Sequence, residues 1–291
     1  MTVKNPAENS EQTSAAAQQI INISGYRFVQ LENLLQLQAD MRADFGEIGI
    51  KGTILIADEG INAAFAGTAD QVLAVRAWFE KDARFADLWL KESASDMLPF
   101  SKLKIRIRPE IITFQPDEPN PISPASNPAP AMTPAKLKQM LDDNVPFTLL
   151  DARNRYEIES GTFKEAMDLK LRTFRDFTEA VSTALENGEL DKDKPVVTFC
   201  TGGIRCEKAA PYLLEQGFKD VHQVEGGILN YFEECGDAHW QGECFVFDDR
   251  VEINPALEPT GARMCRACHR AIAAANDSCV CETITPFEPL R

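Results

Sequence analysis

The hydrophobic residues in the first third of the chain repeat with two different periods. A period of about 3.6 residues predicts an amphipathic helix, whereas strict alternation or a short apolar run predicts a strand. In chain order these patterns predict a strand, a helix, two strands, a helix and a strand, over residues 26–31, 34–45, 52–57, 61–66, 72–79 and 103–108. The two middle strands flank Asp58-Glu59-Gly60, a hairpin turn in which Gly60 can adopt a positive φ. The order β-α-β-β-α-β predicts a ferredoxin-like domain, which we place at residues 25–115.

The pattern changes after residue 115. Seven prolines lie between Pro116 and Pro134, so we expect residues 116–132 to form a semi-rigid linker. Beyond Thr133, helical patterns alternate with apolar strands over residues 134–141, 147–150, 174–185, 195–199, 208–216 and 221–224. This alternation predicts an α/β domain with a parallel sheet, which we place at residues 133–237. Chemistry in such sheets lies at the carboxyl ends of the strands, where Asp151 and Cys200 follow two of them.

The two ends of the chain show little periodicity. Residues 1–24 are polar and rich in Ala and Ser, without the apolar core of a signal peptide, and predict a disordered tail. Residues 238–291 predict a cysteine-containing C-terminal extension. The chain has no run of about 18 apolar residues, so we expect no transmembrane helix. Its eight cysteines, without an export signal, are expected to be reduced thiols in a cytoplasmic protein.

Composition and charge narrow the classes of partner. With 44% hydrophobic and 26% charged residues, the chain of 291 residues is expected to fold into about two globular domains. A net charge of −15 argues against nonspecific nucleic-acid binding, which needs clustered basic residues. One strand departs from this balance, because its alternate positions are all basic: Lys102, Lys104, Arg106 and Arg108. These side chains share one face over about 20 Å, and they either bind an RNA backbone or form a solvated strand face.

The segment from Phe199 to Cys206 carries the candidate chemistry. An apolar strand delivers Cys200 onto a glycine-containing loop, Thr201-Gly202-Gly203-Ile204, and a helix follows at once. Converging backbone N–H groups and a helix N-terminus stabilise a thiolate, and Arg205 adds a fixed positive charge, as a nucleophilic sulfur requires. The alternative is a buried structural cysteine at a strand end.

Three further residues accompany this loop. Cys206 either resolves a sulfenic acid or persulfide on Cys200, or packs as a helix-facing thiol. We expect Asp151 and Arg153 to support the loop through hydrogen bonds.

The pattern Cys-x4-Arg after an apolar strand resembles the active-site loop of rhodanese domains, in which the cysteine carries a persulfide. The resemblance extends upstream to Asp151-Ala-Arg153, Tyr156-Glu157 and Gly161-Thr-Phe, and downstream to residues 217–227. A phosphatase on this fold needs the longer Cys-x5-Arg loop, so a sulfur substituent suits this loop better than a phosphate.

A closer resemblance spans residues 25–285. Five segments together resemble the bacterial oxygen-dependent tRNA uridine(34) hydroxylase family, formerly an uncharacterised rhodanese-containing group: GTILIADEGIN (52–62), FSKLK (100–104), CTGGIRCEKA (200–209), VEGGILNYFEE (224–234) and WQGECFVFDDR (240–250). The resemblance implies a ferredoxin-like domain, a rhodanese domain and a cysteine-containing extension. It also implies conversion of the wobble uridine of tRNA to 5-hydroxyuridine with molecular oxygen.

On this interpretation Cys200 and Arg205 are the catalytic residues. The partner is the anticodon region of tRNA, with no DNA or membrane partner, and the sequence shows no cofactor motif. Two other functions stay open: a sulfurtransferase that works through a Cys200 persulfide, and a noncatalytic RNA-binding adaptor. The intact Cys200 and Arg205 count against the adaptor, and the flanking domains count against a simple sulfurtransferase.

Four cysteines near the C-terminus form a candidate metal site. Cys265 and Cys268 have C-x-x-C spacing, and Cys279 and Cys281 have C-x-C spacing. Four thiolates are the ligand set of a structural zinc. Free thiols or a local disulfide are the alternatives.

Overall fold

The computed structural model describes residues 19–115, 128–276, 278, 279 and 281. The N-terminal part forms a five-stranded sheet with two helices. Its elements are β1 (Ile20–Phe28), α1 (Leu34–Ile48), β2 (Lys51–Ala57), β3 (Gly60–Gly67), α2 (Ala69–Glu80), β4 (Trp89–Ser95) and β5 (Leu103–Ile107). The first strand therefore begins at Ile20, inside the predicted tail 1–24. The rest of that tail, residues 1–18, lies outside the described residues.

The ferredoxin-like prediction is confirmed, but one strand was assigned to the wrong place. The sheet order is β4-β1-β3-β2-β5, and its first four strands are antiparallel neighbours, as in a ferredoxin-like fold. The strand that closes this fold is β4, whereas β5 is an added edge strand that pairs parallel with β2. The sequence of β4 conceals it because Leu90 and Lys91, adjacent in the chain, are both buried.

The two faces of this sheet have different partners. Alternate residues such as Ile23, Ile54 and Phe65 pack against α1 and α2, and these helices bring Phe45 and Phe79 into the same core. The helix α2 begins at a capping box formed by the Thr68 and Gln71 side chains. The opposite face carries Asn22, Ser24, Tyr26, Thr53, Leu55, Asn62 and Ala64, and it faces the second domain.

The second domain is a parallel α/β domain, as predicted. Its elements are β6 (Ala131–Met132), α3 (Pro134–Asp142), β7 (Thr148–Asp151), α4 (Arg155–Ile158), β8 (Gly161–Phe163), β9 (Met167–Asp168), α5 (Phe177–Glu186), β10 (Val196–Phe199), α6 (Cys206–Glu215), β11 (Val221–Val224) and α7 (Gly227–Cys235). The sheet order is β6-β11-β10-β7-β9, and all its pairings are parallel. The predicted linker 116–132 ends within this sheet as β6, and its residues 116–127 lie outside the described residues.

A residue that precedes the linker packs into the second domain. Phe114 is 2% exposed, and it belongs to the core that α5 and α6 form over one face of the parallel sheet. Its ring centroid lies 5.0 Å from that of Phe174 and 5.9 Å from those of Phe177 and Tyr212. The packing boundary between the domains thus lies before Phe114, whereas the sequence places it after residue 115.

The C-terminal extension contacts both domains. It contains β12 (Trp240–Gly242), β13 (Cys244–Phe245), β14 (Glu252–Ile253), β15 (Arg263–Met264) and β16 (Ala271–Ile272). Strand β12 pairs with β8 of the second domain, while Arg250 Nη1 donates to Ser93 Oγ on β4 at 2.9 Å. Among the helices of the described residues, none is long and apolar enough to cross a bilayer.

Candidate active site

The loop between β10 and α6 surrounds the sulfur of Cys200. The strand β10 is buried along its whole length, and it ends where Cys200 begins the turn. The Gly203 amide donates to Cys200 Sγ at 3.2 Å, with Gly203 at φ +99°. Thr201, Gly202 and Ile204 line the cavity beside the sulfur. Within the described part of the chain, Gly203 is thus the one member of the predicted Thr201–Ile204 set whose amide donates to the sulfur.

Two opposing effects act on the Cys200 thiol. Burial alone raises its pKa, but a hydrogen bond from Cys206, the Arg205 guanidinium and the backbone amides of Arg205 and Cys206 together lower the pKa to about 6. Burial and the neighbouring Cys200 raise the pKa of Cys206. Cys206 therefore keeps its proton and donates it toward the Cys200 thiolate, so the structure gives Cys200 the ionised state of a nucleophile.

Arg205 is held by a buried ion pair. Its Nη1 donates to Glu157 Oε1 at 2.5 Å and its Nη2 to Glu157 Oε2 at 2.7 Å, and Nη2 also reaches Thr201 Oγ1 at 3.5 Å. Glu157 is fully buried and Arg205 is 5% exposed. The guanidinium is thus committed to Glu157, and it acts on Cys200 through its charge and through the position of the loop.

Asp151 and Arg153 serve a different segment from the one expected. Arg153 is fully buried and forms a two-pronged ion pair with Asp151, and its Nη2 donates to the Gly161 carbonyl at 2.6 Å. Thr162 Oγ1 donates to Asp151 Oδ2 at 2.8 Å. Within the described ranges neither side chain bonds to the Cys200 loop. They join β7 to β8 instead, and thereby support the segment that carries Glu157.

The N-terminal domain contacts the loop directly. Tyr26 on β1 donates its hydroxyl to Glu207 Oε1 at 3.1 Å, and a Cβ at Gly203 would lie 2.8 Å from that hydroxyl. Burial raises the pKa of Tyr26, and the charges of Glu207 and Cys200 raise it further. Tyr26 is therefore a neutral donor at the cavity wall, and no pattern in the sequence identified it.

A second interdomain contact is a buried cluster of charges. Lys208 is fully buried on α6, and its Nζ donates to Glu59 Oε1 at 3.0 Å and to Glu110 Oε1 at 2.5 Å. The Ile111 amide donates to Glu59 at 2.7 Å, and the Phe114 amide donates to Glu110 at 2.9 Å. Burial raises the pKa of Glu59 despite the lowering effect of Lys208. The hairpin turn, which the sequence showed only as a turn, is thus fixed to the helix after the active-site loop.

Two glycines at the start of α7 close the loop from the other side. Gly226 has φ +66° and Gly227 has φ +64°. A Cβ at Gly227 would lie 2.3 Å from the Cys200 carbonyl oxygen, and one at Gly226 would lie 2.4 Å from the Trp89 ring. The Ile228 amide donates to the Cys200 carbonyl at 2.9 Å. The backbone of α7 therefore approaches the loop as closely as glycine allows.

These elements enclose a cavity of about 700 Å³ between the two domains. Its lining is mostly apolar, with the polar side chains of Asn22, Thr53 and Asn62 on the N-terminal sheet. It includes Cys200 and Arg205 from the loop, together with Trp89, Phe247 and Arg250. Lys91 lies at its edge, where it pairs with Glu233 at 2.8 Å and stands 4.6 Å from the Trp89 ring centroid. Ligand cavities of this volume take a molecule of nucleoside size.

The predicted basic stripe lies on the same face of the N-terminal sheet as this cavity. Lys104 and Arg106 are opposite Thr53 and Leu55 of β2, whose side chains line the cavity, and Arg108 lines it too. Lys102, Arg106 and Arg108 are exposed and Lys104 is half-buried. Among the described residues none of the four forms an ion pair within 4.0 Å.

The four candidate metal ligands come together in the C-terminal extension. The Sγ atoms of Cys265, Cys268, Cys279 and Cys281 all lie within 4.8 Å of one another. Cys265 and Cys268 lie in the turn between β15 and β16. The sulfurs of Cys265 and Cys281 are 3.6 Å apart and those of Cys268 and Cys279 are 3.5 Å apart, so neither pair is a disulfide.

Known proteins are similar to this chain along most of its length. Residues 20–111 match the family described as UPF0176 acylphosphatase-like domain, and residues 133–234 match the rhodanese-like domain. The chain is 46% identical over 259 residues to a tRNA uridine(34) hydroxylase of Cupriavidus taiwanensis, covering 87% of this chain and 90% of that protein. It is 45% identical over 248 residues to the protein of the same name from Bordetella petrii, covering 84% and 96%. Among solved structures, the rhodanese-like domain of an Anabaena protein matches 39% of this chain and 79% of that chain, at 24% identity and a TM-score of 0.33.

Proposed function

The chain belongs to the tRNA uridine(34) hydroxylase family, and from this premise we propose that it converts the wobble uridine of tRNA to 5-hydroxyuridine, with molecular oxygen and a two-electron reductant as co-substrates. One oxygen atom enters the base, and the reductant takes the other to water. The observation that carries the proposal is the cavity of about 700 Å³ that contains the thiolate of Cys200. A base turned out of the anticodon loop has the size that this cavity accepts. Since tRNA is its substrate, we place the enzyme in the cytoplasm.

Cys200 and Arg205 have distinct parts in this proposal. Cys200 presents its thiolate to the base, because this buried residue lines the cavity and the loop stabilises its ionised form. Arg205 stabilises that thiolate and, through Glu157 and Thr201, holds the loop around it. Cys206 supplies a hydrogen bond to the sulfur. Removing Cys200 should therefore abolish the reaction, whereas removing a distant cysteine should not.

Nucleoside mass spectrometry tests this function. The gene is deleted in its host, and tRNA is analysed after complementation with wild type, Cys200→Ala or Cys235→Ala. We expect wild type and the matched control Cys235→Ala to restore 5-hydroxyuridine and its derivatives, and Cys200→Ala to restore none. Full restoration by Cys200→Ala would contradict the proposal, and the purified proteins assayed on unmodified tRNA remove any contribution from a redundant pathway.

A Cys200 persulfide is the second candidate, because the Gly203 amide at 3.2 Å from the sulfur also suits a sulfane sulfur. The purified protein is assayed for sulfur transfer from thiosulfate to cyanide beside the hydroxylation assay. Cyanide turnover without any hydroxylation would favour the sulfurtransferase. Hydroxylation with negligible cyanide turnover would exclude it.

We propose that the basic stripe contacts the tRNA backbone beside the cavity. Its four cations lie on the cavity side of the sheet, without acidic partners among the described residues. Lys104→Glu/Arg106→Glu should weaken tRNA binding and lower its salt dependence, since each lost phosphate contact reduces the salt slope by about 1. The double variant Lys136→Glu/Lys194→Glu is the control, with equal charge change on exposed positions away from the cavity. If the two double variants bound tRNA with equal affinity, the stripe would not contact the tRNA backbone.

We also propose that the four-cysteine cluster binds a structural zinc ion. Tetrahedral thiolates with Zn–S bonds of about 2.3 Å have sulfurs about 3.8 Å apart, close to the separations of 3.5 and 3.6 Å found here. Metal analysis should find one zinc per chain in wild type and in Cys235→Ser, and none in Cys268→Ser/Cys281→Ser. Metal-free wild-type protein, purified without chelator, would refute the site.

A further inference from the structure

A second groove, of about 730 Å³, adjoins the active-site cavity. One wall is α4 with the segment that follows β9, and the other is the turn between β15 and β16. Phe247 lines both the groove and the cavity, so this one ring separates them. One lining residue, Cys268, belongs to the four-cysteine cluster, and the proposed reaction assigns no role to the groove itself.

The groove concentrates positive charge in an acidic protein. Among the described residues its lining contains the cations Arg155, Lys170, Arg172 and Arg270 and one carboxylate, that of Glu159. Glu159 pairs with Arg155 at 3.2 Å and with Arg270 at 2.5 Å. The Lys, Arg and Glu side chains of this described lining therefore sum to +3, while the whole chain carries −15. An excess of this kind complements phosphate groups.

The groove also presents exposed apolar side chains beside those cations. Phe247 is 60% exposed and Met264 is 42% exposed. The Phe247 ring is supported edge-on by Phe245 at a centroid distance of 5.4 Å, and Phe245 in turn packs against Tyr156 at 5.2 Å. A supported, exposed ring beside basic side chains is the arrangement on which single-stranded nucleic acids stack their bases.

The same ring connects the groove to the reaction centre. The Arg205 guanidinium lies 5.8 Å from the Phe247 ring centroid, on the cavity side. Asn154, which lines the cavity, donates to the hydroxyl of Tyr156, which lines the groove, at 3.1 Å. The cavity and the groove are therefore neighbouring spaces on either side of one ring.

We propose that this groove binds the nucleotide adjacent to the substrate uridine, with its base on Phe247 and its phosphate against Lys170 and the neighbouring guanidinium groups. The inference rests on the proposed function, because it takes the base in the cavity to be part of an RNA strand. The groove then determines affinity and the register of the anticodon loop, while Cys200 and its loop determine the chemistry.

Equilibrium binding of tRNA at several salt concentrations tests the groove. Lys170→Glu should weaken binding about tenfold and reduce the salt slope by about 1, because one phosphate contact is lost. Phe247→Ala should weaken binding by a similar factor with an unchanged salt slope, because stacking carries no charge. Lys136→Glu is the matched control and should stay within twofold of wild type, and the thermal midpoint of each variant verifies its fold.

The outcomes for the groove and for the proposed function are separable. If Lys170→Glu binds tRNA as tightly as Lys136→Glu does, the groove does not bind the adjacent nucleotide, even where wild type hydroxylates tRNA normally. If wild type binds tRNA through Lys170 and Phe247 but forms no 5-hydroxyuridine, the binding role of the groove is supported and the proposed hydroxylation is refuted. Hydroxylation by Lys170→Glu with a raised KM for tRNA, beside Lys136→Glu with the KM of wild type, supports both.

Discussion

Replacing Lys208 by Met removes one charge from the interdomain cluster and keeps the shape of its side chain. In the variant Glu59 and Glu110 face each other without the ammonium that now lies 3.0 and 2.5 Å from them. Both carboxyls belong to the N-terminal side of the junction, and Lys208 belongs to the helix that follows the active-site loop. The substitution therefore tests how strongly the cluster holds the two domains together.

The repulsion between the two carboxylates has an upper limit. The variant can relieve the repulsion by protonating one carboxyl, and at pH 7 this costs about 3.7 kcal/mol, which is 1.36 kcal/mol for each unit between pH 7 and an ordinary glutamate pKa of about 4.3. Removing one partner of a buried ion pair costs a similar amount, about 3–5 kcal/mol. A carboxyl protonated only in the folded state makes the free energy of unfolding fall as pH rises. The deficit against wild type should therefore be smaller by about 1.4 kcal/mol at pH 6 than at pH 7.

Chemical denaturation at pH 7 and pH 6 measures both values. The control is Lys219→Met, whose pair with Asp193 is exposed and should contribute little to stability. The double variant Lys208→Met/Glu59→Gln should recover most of the loss, since only one carboxylate then stays. A deficit that is equal at the two pH values, or that the second substitution does not reduce, would refute the reasoning.

Three further predictions concern the active-site loop. Glu157→Gln leaves the Arg205 guanidinium buried without its carboxylate, so it should lower the free energy of unfolding by about 3 kcal/mol and reduce kcat. If neither value changed, the ion pair would be dispensable. Alkylation of Cys200 by iodoacetamide should slow as pH falls through about 6, where its thiolate gains a proton. If the midpoint of the alkylation rate against pH lay at an ordinary thiol pKa, the loop would not stabilise the thiolate. Gly227→Ala should lower the thermal midpoint and activity, since its Cβ would lie 2.3 Å from the Cys200 carbonyl oxygen, whereas Gly46→Ala, with nothing within 4 Å, should change stability by less than about 1 kcal/mol.

The parts of the fold that follow from local patterns could be predicted, and those that depend on distant partners could not. Strands β2 and β3 and helix α1 show their period in the sequence, because each buries one face in its own domain. Strand β4 shows none, because Lys91 is buried only through Asn230 and Glu233, about 140 positions away. The clear alternation of β5 then suggested the closing strand, although it belongs to an added edge strand.

The same distinction applies to the site. The Cys200 loop could be predicted because strand, loop and helix are contiguous, and their chemistry arises within eight residues of chain. The other wall of the cavity could not, because Tyr26 is 181 positions from Glu207, and Glu59 is 149 positions from Lys208. No local period marks a side chain whose partner lies in another domain.

The packing of Phe114 bears on how proteins of this architecture can recombine. Its ring fills a pocket of the second domain, while its amide is bonded to Glu110 at the junction. A chimaera of two relatives with its crossover in the proline-rich stretch would place one parent's ring in the other parent's pocket. A crossover ahead of Glu110 would take the Phe114 ring, its pocket and the Glu110 carboxylate from the same parent. A crossover in the proline-rich stretch would therefore separate Phe114 from the domain into which it packs.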